Sequence, residues 1–336
     1  MFMESSFKTP NFVVIGGGTG SFTVLSALKY YVQDITALVS MADDGGSTGL
    51  LRDELGVLPP GDIRQCLVAL SDSPHLRELF NFRFPGEGSL AGHTFGNLFL
   101  SAIEMQSNDF AEAIKVAGEV LRIKGRVLPI TLDDCRLIYT DKDGNTIKGE
   151  HQIEMADISA DKQPKLSYEQ PANINNEAKD AILKADMIVI APGSLYTSLI
   201  PLLLVEGVPE ALQNSSAKVV YVANLVNKPN ETKGYGVSDY VKELERYAGA
   251  GVIDAVLYNT DQPDQDTLDQ YYAKEEFPVE VDLQNLIGAS YEPIGGKFLS
   301  HKKTIIGPDD PLSHIRSLIR HDADAVARAL MKIYYS

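Results

Sequence analysis

The sequence predicts a doubly wound α/β fold: a mostly parallel, Rossmann-like sheet with helices on both faces and one small β-rich insert. Three observations carry the prediction. An apolar run, Asn11-Phe-Val-Val-Ile15, leads directly into the glycine loop Gly16-Gly17-Gly18-Thr19-Gly20. A segment of helical spacing follows, Ser21 to Tyr31 with Phe22, Leu25 and Leu28 in register, and a second apolar run, Ile35 to Ser40, comes after it. The same order returns later, as a helix over Asn175 to Lys184, a buried strand Met187-Ile-Val-Ile190, a glycine turn Ala191-Pro-Gly-Ser194 and a helix over Leu195 to Leu204. Strand, glycine turn and helix in succession are how such a sheet is wound.

The intervening segments are read in order. Met41 to Gly61 is a long polar loop with a short helical piece around Leu51, and Asp62 is expected to cap a helix over Ile63 to Leu70, whose apolar spacing is Ile63, Cys66, Leu67 and Leu70. His75 to Phe82, Thr94 to Met105 and Phe110 to Leu121 read as helices. From Arg126 to about Tyr168 short alternating runs flank Lys142-Asp-Gly-Asn145, a good hairpin turn, and define the insert. Further strands are expected at Lys218 to Val222, Val252 to Tyr258 and Pro278 to Val281, with helices over Val237 to Tyr247 and Asp264 to Lys274 and a helical end over His314 to Tyr334, broken near His321. The whole chain, residues 1–336, is expected to form one α/β domain with the insert at residues 126–168 inside it.

Composition narrows the function. The chain has 336 residues, 30 Lys plus Arg against 46 Asp plus Glu, and a formal charge of −16. Such an acidic surface repels nucleic acid and anionic membranes, whereas a single nucleotide needs only a local group of donors. Two cysteines, Cys66 and Cys135, make no disulfide framework. No signal peptide is evident, and the longest apolar run, Leu199 to Val205, is too short to cross a bilayer, so a cytoplasmic chain is expected.

Five segments are candidates for chemistry. Gly16 to Gly20 feeds a helix, and its free amides and the positive helix end suit phosphate; Gly16-x-Gly18-x-x-Ser21 has a small third position, and no Gly-Lys-Ser/Thr follows, so it is not a Walker A loop. Asp43-Asp44-Gly45-Gly46-Ser47-Thr48 should lie on the same carboxyl edge, where one carboxylate could grip ribose and the other hold a divalent cation or act as a base. In Pro59-Pro-Gly-Asp62-Ile-Arg64 an arginine in the first helical turn opposes the helix dipole, so it wants a carboxylate such as Asp43 or Asp44, or a ligand phosphate. In Gly92-His93-Thr94-Phe95-Gly96-Asn97, His93 and Asn97 share a helix face and could orient a base or sugar hydroxyl, although a packing role for His93 is equally natural. The Gly193-Ser194 turn could complete a pocket with the first loop, with Asn224 and Asn259 on the same edge. No nucleophile elbow and no zinc spacing occurs in the sequence.

Five motifs together, Val13-Val-Ile-Gly-Gly-Gly-Thr-Gly-Ser21, Met41-Ala-Asp-Asp-Gly-Gly-Ser-Thr-Gly49, Pro59-Pro-Gly-Asp-Ile-Arg64, Gly92-His-Thr-Phe-Gly-Asn97 and Ala191-Pro-Gly-Ser194, resemble, in order, those of the family that joins CofD to YvcK. CofD is the 2-phospho-L-lactate transferase of deazaflavin coenzyme synthesis. The YvcK branch comprises bacterial gluconeogenesis factors, needed for cell shape on gluconeogenic carbon sources and binding UDP-sugars. The Gly-Gly-Ser-Thr continuation after Asp44, the Pro-Pro-Gly-Asp-Ile-Arg segment and the tail Leu318-Ile-Arg-His-Asp322 are similar to the YvcK branch; the transferase branch has a Thr-Gly-Asp-Asp type of loop instead of Met41-Ala-Asp-Asp. The chain departs at Leu50, where many of that branch carry a basic residue, while Thr48 keeps a hydroxyl.

The resemblance implies a UDP-N-acetylglucosamine-binding regulatory protein, with the glycine loop on the diphosphate, the Asp43/Asp44 loop on ribose or Mg²⁺, and Asn97 and Asn224 on base or sugar. Arg320 would bind the diphosphate or pair with Asp322 or Asp324, and Tyr272 would stack on uracil or pack within its helix. It also admits a homo-oligomer and a regulatory contact with cell-wall synthesis proteins. The competing implication is a Mg²⁺-dependent phosphotransferase-type enzyme that passes a phospholactyl-like group from a nucleoside diphosphate, with Asp43 or Asp44 as base or metal ligand. The glycine spacing alone leaves a third, NAD-type dinucleotide enzyme open.

Overall fold

A computed structural model describes residues 9–158, 164–301 and 318–336; the expected helical residues His314 to Ser317 lie outside the described residues. Among the described residues seven strands form the central sheet: β1 (Asn11–Gly16), β2 (Asp34–Val39), β3 (Arg126–Pro129), β4 (Met187–Ile190), β5 (Lys218–Val222), β6 (Ala255–Asn259) and β7 (Glu292–Gly296). They lie in the order β3-β2-β1-β4-β5-β6-β7, every neighbouring pair parallel. In β1 the four consecutive residues Phe12 to Ile15 are buried. Adjacent side chains point to opposite faces, so both faces of the sheet are covered, as parallel sheets require.

Strand order reverses between β1 and β4. The chain winds outward from β1 through β2 to β3, then returns to β4 on the other side of β1. The carboxyl ends of β1 and β4 therefore diverge into a crevice, the usual ligand position in open α/β sheets. Helix α1 (Gly18–Leu28) leaves β1, α2 (Gly46–Leu55) follows β2, and α3 (Gly61–Leu70) packs on α1. Beyond β4 a π-helical turn, Leu195–Leu199, precedes a single α-turn at Ile200–Leu203; Pro201 cannot donate its missing amide, so the expected helix is irregular.

Several expectations are corrected. Arg126–Pro129 belongs to the central sheet as β3, paired with β2, so the insert's own antiparallel sheet begins only at Leu137, with strands Leu137–Thr140, Thr146–Lys148 and Lys165–Tyr168. Its hairpin turn is where the sequence put it, and Asp141 Oδ1 accepts from the Asn145 amide at 2.8 Å. Phe277–Pro278 pairs with Val226–Asn227 in a separate ribbon outside the main sheet. The last central strand, β7, was not anticipated, because Glu292-Pro-Ile-Gly-Gly296 mixes a proline and two glycines into five residues.

Both edge strands contain a proline, Pro129 in β3 and Pro293 in β7. The Ile130 amide donates inward to Val39 at 2.9 Å and the Glu292 amide inward to Asp254 at 2.8 Å. By strand alternation each proline falls at an outward position, where no ladder bond is lost.

Gly20 shows how tightly the crevice is closed at its base: a Cβ there would fall on the Pro192 carbonyl oxygen. Gly20→Ala is therefore expected to lower unfolding free energy by about 2 kcal/mol or more, measured by urea denaturation. Gly88→Ala, at a position with nothing within 4 Å of a Cβ, should be neutral in the same assay.

Candidate ligand-binding cleft

The cleft above the β1–β4 divergence has a volume of about 550 Å³. Its floor is the first glycine loop. Gly17 is extended and Gly18 adopts a positive φ of 48°, which aligns the first amides of α1 toward one point. The helix has no acidic residue in its first turn and no side-chain cap of its own. The carboxylate that fills this role comes from α3. Asp62 does not cap α3, where Pro60 holds the cap position; its side chain instead lies against Gly17 and Gly18 and accepts the Gly18 amide. Burial, and then the charge of Asp43, push the Asp62 carboxyl up to about 7.

The second glycine turn is tied up by the protein itself. Asn224 Oδ1 accepts the Gly193 amide at 3.1 Å and its Nδ2 donates to the Gly193 carbonyl at 2.7 Å. Buried Glu231 accepts the Ser194 hydroxyl at 2.8 Å and the Tyr196 amide at 2.8 Å, capping the turn that follows. Gly193, Ser194 and Asn224 do border the cleft, but their polar groups are spent on holding the turn. Asn259 likewise serves its own loop, accepting the Phe298 amide at 3.0 Å.

The two aspartates of the acidic loop part company. Asp43 faces the cleft, accepts the Gly45 amide at 3.0 Å, and has its carboxyl pushed up chiefly by burial. Asp44 turns the other way: its two oxygens accept the amides of Glu150 (3.1 Å) and His151 (2.8 Å), so it caps the insert helix Glu150–Met155. Of the two carboxylates expected to hold a divalent cation, Asp44 is thus committed to the helix and only Asp43 faces the cleft; among the described residues no group of three or more His, Cys, Asp or Glu is arranged to hold a metal.

Capping by Asp44 gives the insert a place in the site. Glu150 and Glu154 of the capped helix line the cleft, and neither was singled out in the sequence; their four-residue spacing on a helix was the available signal. Burial, then the charges of Asp43 and Glu154, push Glu150 up to about 8. Lys228, also missed, lies 2.9 Å from Glu154. Burial would lower its ammonium, but Glu231 and Glu154 outweigh this and the net shift is upward. Arg320 and His321 close the far wall. His321 donates through Nε2 to the Ala223 carbonyl at 3.1 Å, and burial pushes its pKa down to about 4, leaving it neutral. The acids offered as partners for Arg320 are engaged elsewhere: Asp322 caps the final helix Ala323–Tyr335, and Asp324 pairs with Arg328.

Four predicted residues form a separate group. Ser47 Oγ lies 2.9 Å from His93 Nδ1 and accepts Asn97 Nδ2 at 3.1 Å; Arg64 Nε donates to Asn97 Oδ1 at 2.9 Å, and Nη1 donates to Asn81 Oδ1. None of them, nor Gly46, lines the main cleft. Arg64 thus has neither of its expected ion pairs. Tyr272 stands apart as well, its ring stacked on Phe277 at 5.3 Å beside a neighbouring cavity of about 720 Å³ that also holds Asn259.

Comparison with known proteins places this arrangement. The family model of the 2-phospho-L-lactate transferase CofD matches residues 12–299. A gluconeogenesis factor from Bacillus subtilis is 37% identical over 97% of this chain and 98% of its own, and one from Halalkalibacterium halodurans is 39% identical over 97% of each. The crystal structure of a UPF0052 family member from Bacillus halodurans superposes with a TM-score of 0.86 at 36% identity, covering 96% of this chain and 99% of that one.

Two outcomes follow from the geometry. Asp62 and Glu150 have folded pKa values of about 7 and about 8, above the ordinary carboxylate value near ~4. The folded chain then holds more protons than the unfolded one between these limits, so the associated stability is full below pH ~4 and lost as pH rises through 7 and 8. Glu150→Gln should melt with wild type at pH 4 and above it at pH 9; equal pH slopes would refute the assignment. Asp44→Ala removes a cap worth ~1 kcal/mol and should speed amide hydrogen exchange at Glu150 and His151 while leaving β1 and β4 protected.

Proposed function

Because the chain belongs to the CofD family, on its gluconeogenesis-factor side, we propose that it is a regulatory protein that binds a nucleotide sugar, UDP-N-acetylglucosamine, in the β1–β4 cleft. In this role it reports cell-wall precursor supply and supports cell shape during gluconeogenic growth. The observation that supports the reading best is the position of the cleft: it opens at the strand-order reversal, over a glycine loop and helix end suited to a diphosphate. The first-turn amides of Thr19 and Gly20 have no partner within α1 and are the donors for that group. Lys228 and Arg320 supply positive charge on the walls. Near neutral pH, Glu150 is largely protonated and Asp62 about half protonated, which reduces repulsion of the phosphates and lets both carboxyls act as donors. Glu154 and Asp43 remain to accept sugar or ribose hydroxyls.

A second reading, a phosphotransferase-type enzyme like CofD, is favoured by one specific feature. Three carboxyls with raised pKa, Asp43, Asp62 and Glu150, border one cleft, and such groups suit proton transfer. Calorimetric titration with UDP-N-acetylglucosamine, GDP and NAD, each with and without Mg²⁺, separates the readings. Micromolar binding of the UDP-sugar, about −8 kcal/mol, without turnover and weakened at least ten-fold by Lys228→Ala, is the expected result. Selective Mg²⁺-dependent binding of GDP with no response to the UDP-sugar would overturn the regulatory reading in favour of transfer.

A further inference from the structure

The β1–β4 cleft is polar almost throughout. No phenylalanine or tyrosine among the described residues lines it, and apart from glycines its apolar wall consists of Pro192, Leu225, Val226 and Ile319. Such a lining suits a diphosphate and a sugar. It gives a flat nucleobase little to lie against, because bases are held by aromatic and apolar faces. Leu225 and Ile319, together with Asn224, also line the neighbouring cavity of about 720 Å³, so the two spaces share a wall.

That neighbouring cavity has the opposite character. Residues at the carboxyl ends of β5 and β6 line it, which puts it on the same edge of the sheet as the cleft, where ligands of open α/β sheets collect. Three large apolar side chains, Tyr272, Phe277 and Leu283, line it while 43%, 44% and 54% exposed. Apolar groups that gather around one cavity yet stay open to water mark a binding surface. The rings of Tyr272 and Phe277 are already stacked, 5.3 Å apart and 29° from parallel, and form a flat platform. The helix Gln265–Tyr272 joins this platform to the shared wall: the Tyr271 hydroxyl accepts the amides of Leu318 and Ile319 at 2.9 and 3.1 Å, and the next residue is Tyr272. Thr260 and Gln262 also line the cavity, and their side chains make no hydrogen bond among the described residues, so they are available to the polar edge of a base.

We propose that this cavity is a nucleobase subsite: a nucleotide whose diphosphate sits on the glycine loop passes its base across Leu225 and Ile319 and stacks it on the Tyr272–Phe277 platform. The assignment rests on the nucleotide reading of the cleft and deepens it, since base and sugar are then recognised in separate spaces. A purely charged ligand would have no use for the second cavity, and a purely apolar one none for the first. A nucleotide joins both chemistries in one molecule, and the shared wall is where they meet. The insert side of the cleft, with Glu150 and Glu154, is left to the sugar.

The test is calorimetric titration of the intact chain with two probes, UDP-N-acetylglucosamine and inorganic diphosphate, which has no base. Tyr272→Ala and Leu283→Glu alter exposed side chains, so both variants should fold. Each is expected to weaken the UDP-sugar ten-fold or more, the scale of one lost base-stacking contact, and to leave inorganic diphosphate within about two-fold of wild type. UDP-sugar affinity indifferent to both substitutions places the base elsewhere and overturns the subsite while the proposed function stands. Equal weakening of both probes also overturns it, because the cavity then only supports the cleft. If wild type binds diphosphate but not the UDP-sugar, the proposed function fails, and the same comparison made with GDP decides the subsite: GDP weakened ten-fold by the substitutions upholds it, and GDP unaffected or unbound overturns it. Binding of neither probe overturns both.

Discussion

The structure depends on how closely two backbone turns approach at the reversal of strand order. Gly20, on the first turn of α1, touches the Pro192 carbonyl, and Gly16 lies against Ala191. Only residues without a side chain permit this contact, so the ends of β1 and β4 are held together at the base and are free to diverge above it. The cleft is the space that this pinning leaves. Asp62 then enters from α3 to satisfy the exposed α1 amide, and that single carboxyl links the third helix to the first loop.

The order of the fold was legible because its strongest signals are local. Buried apolar runs at β1, β2, β4 and β5, each followed by glycine or helical spacing, announce themselves within a dozen residues. What failed was pairing information. Arg126-Val-Leu-Pro129 is too short to reveal that it joins β2 and not the insert, and the glycines and proline of β7 hide a strand whose stability comes from its neighbour β6.

The candidate site divides along the same line. Residue types at the glycine loop, Asp43 and Arg320 were readable in the sequence, and the structure brings them to one cleft. Side-chain direction was not readable. Asp43 and Asp44 are neighbours in sequence and point to different tasks, one to the cleft and one to the insert helix. Asn224 and Ser194 border the ligand space but work for the backbone. Glu150, Glu154 and Lys228 arrive from segments remote in sequence, and only the cap supplied by Asp44 shows why the insert is there: it delivers carboxyls to a cleft that the sheet alone would leave open on that side.

The two edge prolines have a bearing on how such a chain survives its own synthesis. An all-parallel sheet assembles from strands far apart in sequence, so its borders stay unsatisfied while the middle is being built. A border strand with a free amide at every outward position would recruit any passing strand, including that of another copy. Pro129 and Pro293 each delete a donor from the outward row of a border strand. The sheet is thereby finite by chemistry as well as by length, and intermolecular strand addition is discouraged at both borders before the surrounding helices have closed over them.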